Sequence, residues 1–207
     1  LRRQRQMCIR DSGSRLHDDN AVTKLAEAVA ALGRTRWPLR LTPTTEALLQ
    51  GLSALTGRSI DDPDALAAAA GPAEAFLRSS FRTTTNPTAL TAGYKHNVIP
   101  ERAEALIDVR VIPGTEDEVL AELQQIVGDD IEIQTVVRDI GMETPFEGEL
   151  VEAMVASLGR HDPGVPVIPY LLGAGTDNKA LAYLGITGYG FAPVSYTHLT
   201  LPTKRIV

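Results

Sequence analysis

The stretch that most constrains this chain is Ala103 to Ile112, whose side chains alternate with a period of two. Ile107, Val109 and Val111 fall on one face; Asp108 and Arg110 fall on the other, flanked by Leu106 and Ile112. Successive strand side chains point to opposite faces, so the pattern predicts a strand with one buried face. The open face, which spends an arginine, is left for water or a ligand. Pro113-Gly114 closes the strand, and Thr115-Glu116-Asp117-Glu118 opens a helix as a capping box.

The neighbouring segments extend this frame. Residues 19–33 predict a helix with Ala21, Val22, Leu25, Ala28, Val29 and Leu32 in one stripe, capped by Asp18, Asp19 or Asn20 and ended at Gly33. Residues 43–80 predict two or three short helices, started at Thr42-Pro43 and Asp62-Pro63 and stopped at Gly57 and Gly71. Within them, Ala67 to Ala70 favours helix and offers little to pack. Phe81 to Thr85 and Thr88 to Ala92 predict strand, broken at Asn86-Pro87. A helix over 116–127 and a half-buried strand over 131–137 follow. Helix, strand, strand, helix, strand is a ferredoxin-like unit lacking its first strand, here with a helical insertion.

After Thr144-Pro145 the pattern changes. Residues 147–158 predict a helix with Leu150, Val151, Met154, Val155 and Leu158 inward. Val165 to Leu172 is apolar enough for a strand buried on both faces, and Ile186 to Val194 predicts a second. A helix between them is capped by Thr176 and ends at Gly185. Such alternation implies a piece of parallel sheet, with a boundary near residue 140. The fold class expected is therefore α/β (α+β).

Composition narrows the function classes. The chain has 207 residues, a net charge of -6 and one cysteine, Cys8. Acidic balance argues against nucleic acid as a partner, and a lone cysteine excludes an internal disulfide framework. No apolar run reaches the roughly 20 residues that span a bilayer, so no membrane partner is expected. These features fit a cytoplasmic protein.

Three stretches carry a resemblance. Gly93-Tyr94-Lys95-His96-Asn97-Val98-Ile99-Pro100, with Asp108-Val109-Arg110, resembles the lid, or dimerisation, domain of one zinc metallopeptidase family. That family holds aminoacylase, carboxypeptidase G, acetylornithine deacetylase and succinyl-diaminopimelate desuccinylase. Gly13 to Val22 resembles the start of the lid's first helix, and Gly173-Ala174-Gly175-Thr176-Asp177-Asn178 resembles a Gly-Gly-Thr-Asp turn of the catalytic domain. The three occur in family order over residues 13 to 194. The resemblance implies a truncated ferredoxin-like lid at 13–140 with a helical insertion at 43–80, then a catalytic-domain piece at 141–194. Residues 1–12 and 195–207 resemble translated sequencing-adapter read-through and are set aside from fold reasoning.

The resemblance also implies roles. Arg110 would hold the substrate's free carboxylate, for which a planar two-point donor is suited; the alternative is a surface arginine paired with Asp108 or Glu101. Asn97 would reach the substrate with its amide, or else simply form a turn. Gly173, Gly175 and Thr176 would line the cleft, or else make a plain tight turn capped by Thr176. They lack the third glycine of a dinucleotide fingerprint and the Gly-Lys-Ser/Thr of a P-loop. His17 is a further cleft candidate. His96, beside Asn97, would line the cleft or else be an exposed strand residue, and His161 reads as a loop residue; His198 lies in the adapter-like tail. No histidine has a partner at metal spacing. Two zinc ions are implied for the parent family, with their ligands and the catalytic base outside this chain, which is then expected to be inactive by itself. The implied substrate is a small peptide or acylamino acid, and the implied assembly a homodimer. The alternative is a non-catalytic dimerisation or binding module.

Overall fold

The computed structural model describes Gly13 and residues 19–191 of the 207. Both adapter-like ends and His17 lie outside the described residues. The chain divides into two compact units. Unit 1 comprises the described residues up to Trp37, Thr84–Arg110 and Asp117–Arg138; unit 2 comprises Pro38–Thr83, Val111–Glu116 and the described residues from Asp139.

Unit 1 is a helix laid on a two-stranded ribbon. Helix α1 (Ala21–Arg34) starts at Asn20, whose side chain accepts from the backbone N–H groups of Val22 at 2.9 Å and Thr23 at 3.4 Å. Its buried residues, Leu25, Ala28 and Leu32, repeat at helical spacing. Strands β1 (Thr84–Ala92) and β2 (Ala103–Arg110) pair antiparallel, with Thr84 opposite Arg110 and Ala92 opposite Ala103. Helix α1 packs against both. A buried polar chain ties the layers: Trp37 Nε1 donates to Thr85 Oγ1 at 3.2 Å, and the Thr85 hydroxyl donates to the Leu32 carbonyl at 3.2 Å. Helix α5 (Glu116–Val127) buries Val119 and Leu123. In sequence between the strands and α1 lie the three helices of unit 2, numbered α2 to α4.

The sheet departs from expectation in two ways. Strand β1 is not broken at Asn86-Pro87; it runs through, with a bulge between Pro87 and Ala89. Proline is tolerated there because β1 is an edge strand. Residues 131–137 form no strand, and Val136 and Val137 are highly exposed. In a β-α-β-β-α-β unit the last strand pairs with the first, and no such first strand is among the described residues. Without a ladder partner, period-two alternation alone does not hold a segment extended.

Unit 2 is built on a helical cluster. Helix α2 (Pro43–Thr56) is closed at its start by reciprocal bonds between Thr42 and Thr45, and at its end by Gly57 at φ 69°. Asp62 caps α3 (Pro63–Ala69), and a 3₁₀ turn at Gly71–Ala73 leads into α4 (Glu74–Ser79). Their apolar faces meet in one core of Leu48, Leu49, Leu52, Leu66, Leu77 and Phe81, joined by Ala67. Ala67, expected to have little to pack, is fully buried.

The remainder of unit 2 corrects the expected parallel sheet. The two-stranded ribbon is the one sheet among the described residues, and 165–172 and 186–191 are irregular. The first of these segments lies on the helical cluster instead. Ile168 packs against the core, the Tyr170 ring meets Phe76 edge-on at 5.1 Å, and the Leu171 carbonyl accepts from Ser80 Oγ at 2.8 Å. Its apolar residues are thus partly buried by helices rather than by sheet neighbours. Helix α6 (Glu149–His161) buries only Val151; Leu150 and Val155, expected inward, are exposed. His161 ends that helix rather than lying in a loop.

Candidate functional site

Arg110 is the last residue of β2, and its side chain is exposed, as the strand's period requires. The same face of the ribbon carries Thr84, Asn86, Asp108, Leu106 and Glu104, because residues paired across an antiparallel ladder share a face. The Arg110 guanidinium meets one carboxylate twice: Nε lies 2.7 Å from Asp108 Oδ1, and Nη2 donates to Oδ2 at 2.7 Å. Asp108 raises the Arg110 pKa above its ordinary value, against a smaller opposing effect of burial. Both side chains remain open to solvent, at 48% and 39%. The arginine is therefore ordered yet accessible, and the pairing with Asp108 foreseen as an alternative is present.

Asn97 sits in the loop joining β1 to β2. Gly93 is at φ 67°, so a side chain there would be strained by the backbone conformation, although a Cβ would meet only the Pro100 ring at ordinary contact distance. Val98 N–H donates to the Lys95 carbonyl at 3.4 Å, which makes a turn with His96 and Asn97 at its tip. The Asn97 carbonyl accepts from Gly13 N–H at 3.2 Å, and its side chain is exposed. His96 is exposed in this turn, not in a strand.

The ribbon keeps Asn97 and Arg110 apart. The loop enters β2 at Ala103, and Arg110 ends the strand seven steps later, roughly 23 Å away at the strand rise of about 3.3 Å per residue. A dipeptide spans on the order of 7 Å. Along the ribbon, the loop that carries Asn97 and the strand end that carries Arg110 therefore lie at opposite ends.

Gly173, Gly175 and Thr176 lie in unit 2, in an exposed irregular turn. The turn is not flanked by a buried strand, and helix α7 (Asn178–Tyr183) after it has only six residues. Thr176 does not cap that helix by its side chain; Asp177 holds the cap position without a side-chain cap bond, and the Thr176 carbonyl accepts from Lys179 N–H at 3.1 Å. So short a helix end offers little to an anion. The Asn178 side chain lies hard against Gly188, where any Cβ would collide with it.

Sequence reasoning missed Glu143. Its Oε1 accepts from Thr44 N–H at 2.6 Å, at the start of α2. Burial pushes the Glu143 carboxyl up, but hydrogen bonds from the Thr44 side chain and backbone and from the Thr42 side chain outweigh it and hold the pKa low. A glutamate 99 residues from its partner carries no local signal. A cavity of about 390 Å³ lies between α1 and residues 126–131, lined by Lys24, Glu27, Ala28, Ala31, Ile126 and Ile131. It contains none of the expected site residues. Among the described residues, no group of three or more His, Cys, Asp or Glu is placed to hold a metal ion, so these residues do not fit the zinc site implied for the parent family.

Comparison with known proteins decides the family. Residues 13–133 match the peptidase dimerisation domain, a stretch that covers more than half of the chain. The chain belongs to the peptidase dimerisation domain family. Over 117 residues it is 28% identical to the probable carboxypeptidase S-like 2 of Dictyostelium discoideum, covering 55% of this chain and 22% of that protein. Over 130 residues it is 26% identical to aminoacylase-1 of Homo sapiens, covering 60% of this chain and 32% of the relative. The chain thus spans about a third or less of the length of these relatives. Its fold is similar to that of an M20 family metallo-carboxypeptidase, Sso-CP2 from Sulfolobus solfataricus, with a TM-score of 0.52 and 19% identity. That likeness covers 80% of this chain and 48% of the solved one. This dimerisation domain combines helices with a two-stranded antiparallel sheet, the α/β class expected. Among its described residues no helix is long and apolar enough to cross a membrane.

Proposed function

We propose that this chain is the dimerisation domain, with a piece of the catalytic domain at 141–194, of a dizinc amidohydrolase or peptidase that cleaves an amide bond beside a free carboxylate. Its substrates are dipeptides or N-acyl amino acids, its assembly is a homodimer, and the zinc ligands are supplied outside the chain. By itself the chain is then inactive. Arg110 grips the carboxylate, and Asn97 contacts the same substrate from a second copy. The observation that supports this arrangement is the ribbon itself, which holds two exposed side chains of the right chemistry at opposite ends. A two-fold dimer can place one copy's loop at the other copy's arginine.

Mixing two defective copies tests it. Binding of N-acetyl-L-alanine is measured by calorimetry on the chain, on Arg110→Ala, on Asn97→Ala and on an equal mixture of the two variants. Each variant alone is expected to lose binding. In the mixture half of the dimers are hybrids with one intact site of two, so about a quarter of the sites should return. No recovery on mixing would show that the two residues do not share a site across the dimer. A non-catalytic dimerisation module is the second reading, favoured by a family match confined to residues 13–133. That module would bind the acid in none of the four samples.

A further inference from the structure

We propose that Asp108 is a positioning residue for Arg110: it holds the guanidinium by the Nε–Nη2 edge and thereby presents the Nη1–Nη2 edge to a ligand carboxylate. The inference rests on the reading of Arg110 as a carboxylate clamp, and it concerns a residue to which that reading gives no part.

The atoms in contact carry the argument. A guanidinium has five N–H donors in a rigid plane, arranged as two edges that can each meet a carboxylate at two points. Asp108 takes one edge, with Oδ1 2.7 Å from Nε and Oδ2 2.7 Å from Nη2. Nη2 thus donates one N–H to Oδ2, and Oδ1 closes against Nε. The second Nη2–H and one Nη1–H form the terminal edge, and the other Nη1–H points back beside the side-chain stem. A second carboxylate can therefore bind in the plane without displacing the first.

The strand makes the arrangement rigid at its base. Asp108 and Arg110 are two residues apart on one face of β2, opposite Asn86 and Thr84 of β1. Their Cα atoms are fixed by the ladder, so the pair needs only side-chain torsions to close. A free arginine would have to order its long side chain when a ligand arrives, and this entropy opposes binding. Asp108 orders it beforehand. The same carboxylate cancels most of the arginine's long-range charge, so the pair selects a ligand by planar two-point geometry more than by net attraction. A ligand whose carboxylate has become an amide then loses the contact.

A competing role makes the opposite forecast. If Asp108 merely fills the fork that a ligand needs, its removal frees Arg110 and tightens binding. The experiment uses the whole 207-residue chain, labelled with ¹⁵N, and follows the Arg110 Nε–H resonance. Each variant is first matched to the parent chain by melting temperature, and Asp108→Glu serves as the conservative variant. N-acetyl-L-alanine is the probe, and its carboxamide is the control. The parent chain is expected to show an ordered Nε–H whose partners respond to the acid and not to the amide. Asp108→Asn should mobilise that Nε–H and weaken the acid about five-fold or more, and Asp108→Glu should restore part of both. Unchanged or tighter binding in Asp108→Asn, with Arg110→Ala still abolishing it, overturns the positioning role and leaves the clamp standing. Binding that survives Arg110→Ala, or no response to the acid in the parent chain, overturns the clamp and the positioning role together.

Discussion

The ribbon of unit 1 and the helical cluster of unit 2 solve opposite problems with similar amounts of chain. The cluster buries Leu66, Ala67 and Phe81 completely and surrounds them with leucines from α2 and α4. The ribbon buries one face through α1 and leaves the other open; Leu106 on the open face is 54% exposed. One region is organised to be stable, the other to be reached. The candidate carboxylate contact lies on the region with little to lose, where a charged side chain is ordered by a neighbour while staying about half open to solvent.

The sharpest test of this contrast is a pair of truncations. Phe81→Ala opens a cavity in the cluster and is expected to cost about 3–5 kcal/mol. Leu106→Ala on the open ribbon face should stay within about 0.5 kcal/mol. Denaturant unfolding of both variants measures the difference. Comparable losses would mean that the ribbon's open face is covered in solution.

A smaller effect separates two glycines. A Cβ at Gly51 in α2 would lie 2.7 Å from the Ile168 side chain, whereas a Cβ at Gly33 in α1 meets nothing within 4 Å. Gly51→Ala should therefore cost about 1–3 kcal/mol by overpacking. Gly33→Ala should instead stabilise by about 0.5–1 kcal/mol, since alanine restricts the unfolded chain. Melting temperatures that move in the same direction for both would break the picture of Ile168 seated on α2.

The smallest effect is the pH dependence of the Glu143 contact. The folded pKa is depressed, so its stabilisation is full above the ordinary glutamate value of about 4.3 and is lost as pH falls through the folded pKa. Glu143→Gln should cost about 1 kcal/mol at neutral pH, with the gap to the parent chain closing below about pH 4. A gap that persists at low pH would show that the contact is one of shape rather than charge.

Local pattern was legible wherever the deciding forces were local. Asn20, Thr42 and Asp62 announce their helices because a cap bonds to backbone two or three residues away. The open-face position of Arg110 follows from the period of its own strand, and Asp108 as its partner follows from the i, i+2 spacing. Whether a period-two segment becomes a strand is decided elsewhere, by the presence of a ladder partner. Ala103–Arg110 found one in Thr84–Ala92; the alternating 131–137 did not, and neither did the apolar run 165–172. The chain's own sequence could not distinguish them, because all three carry enough apolar residues.

What the amino-acid sequence determined by itself is the set of helices, the identity of the ribbon's two strands and the family to which the chain belongs. Only the tertiary structure decided which apolar faces found cover, that Asn97 and Arg110 stand at opposite ends of β2, and that Glu143 closes the start of a helix 99 residues away. The physical reason is range. Caps, turns and periodicity act over a few residues, whereas burial and strand pairing are settled by segments far away in the chain.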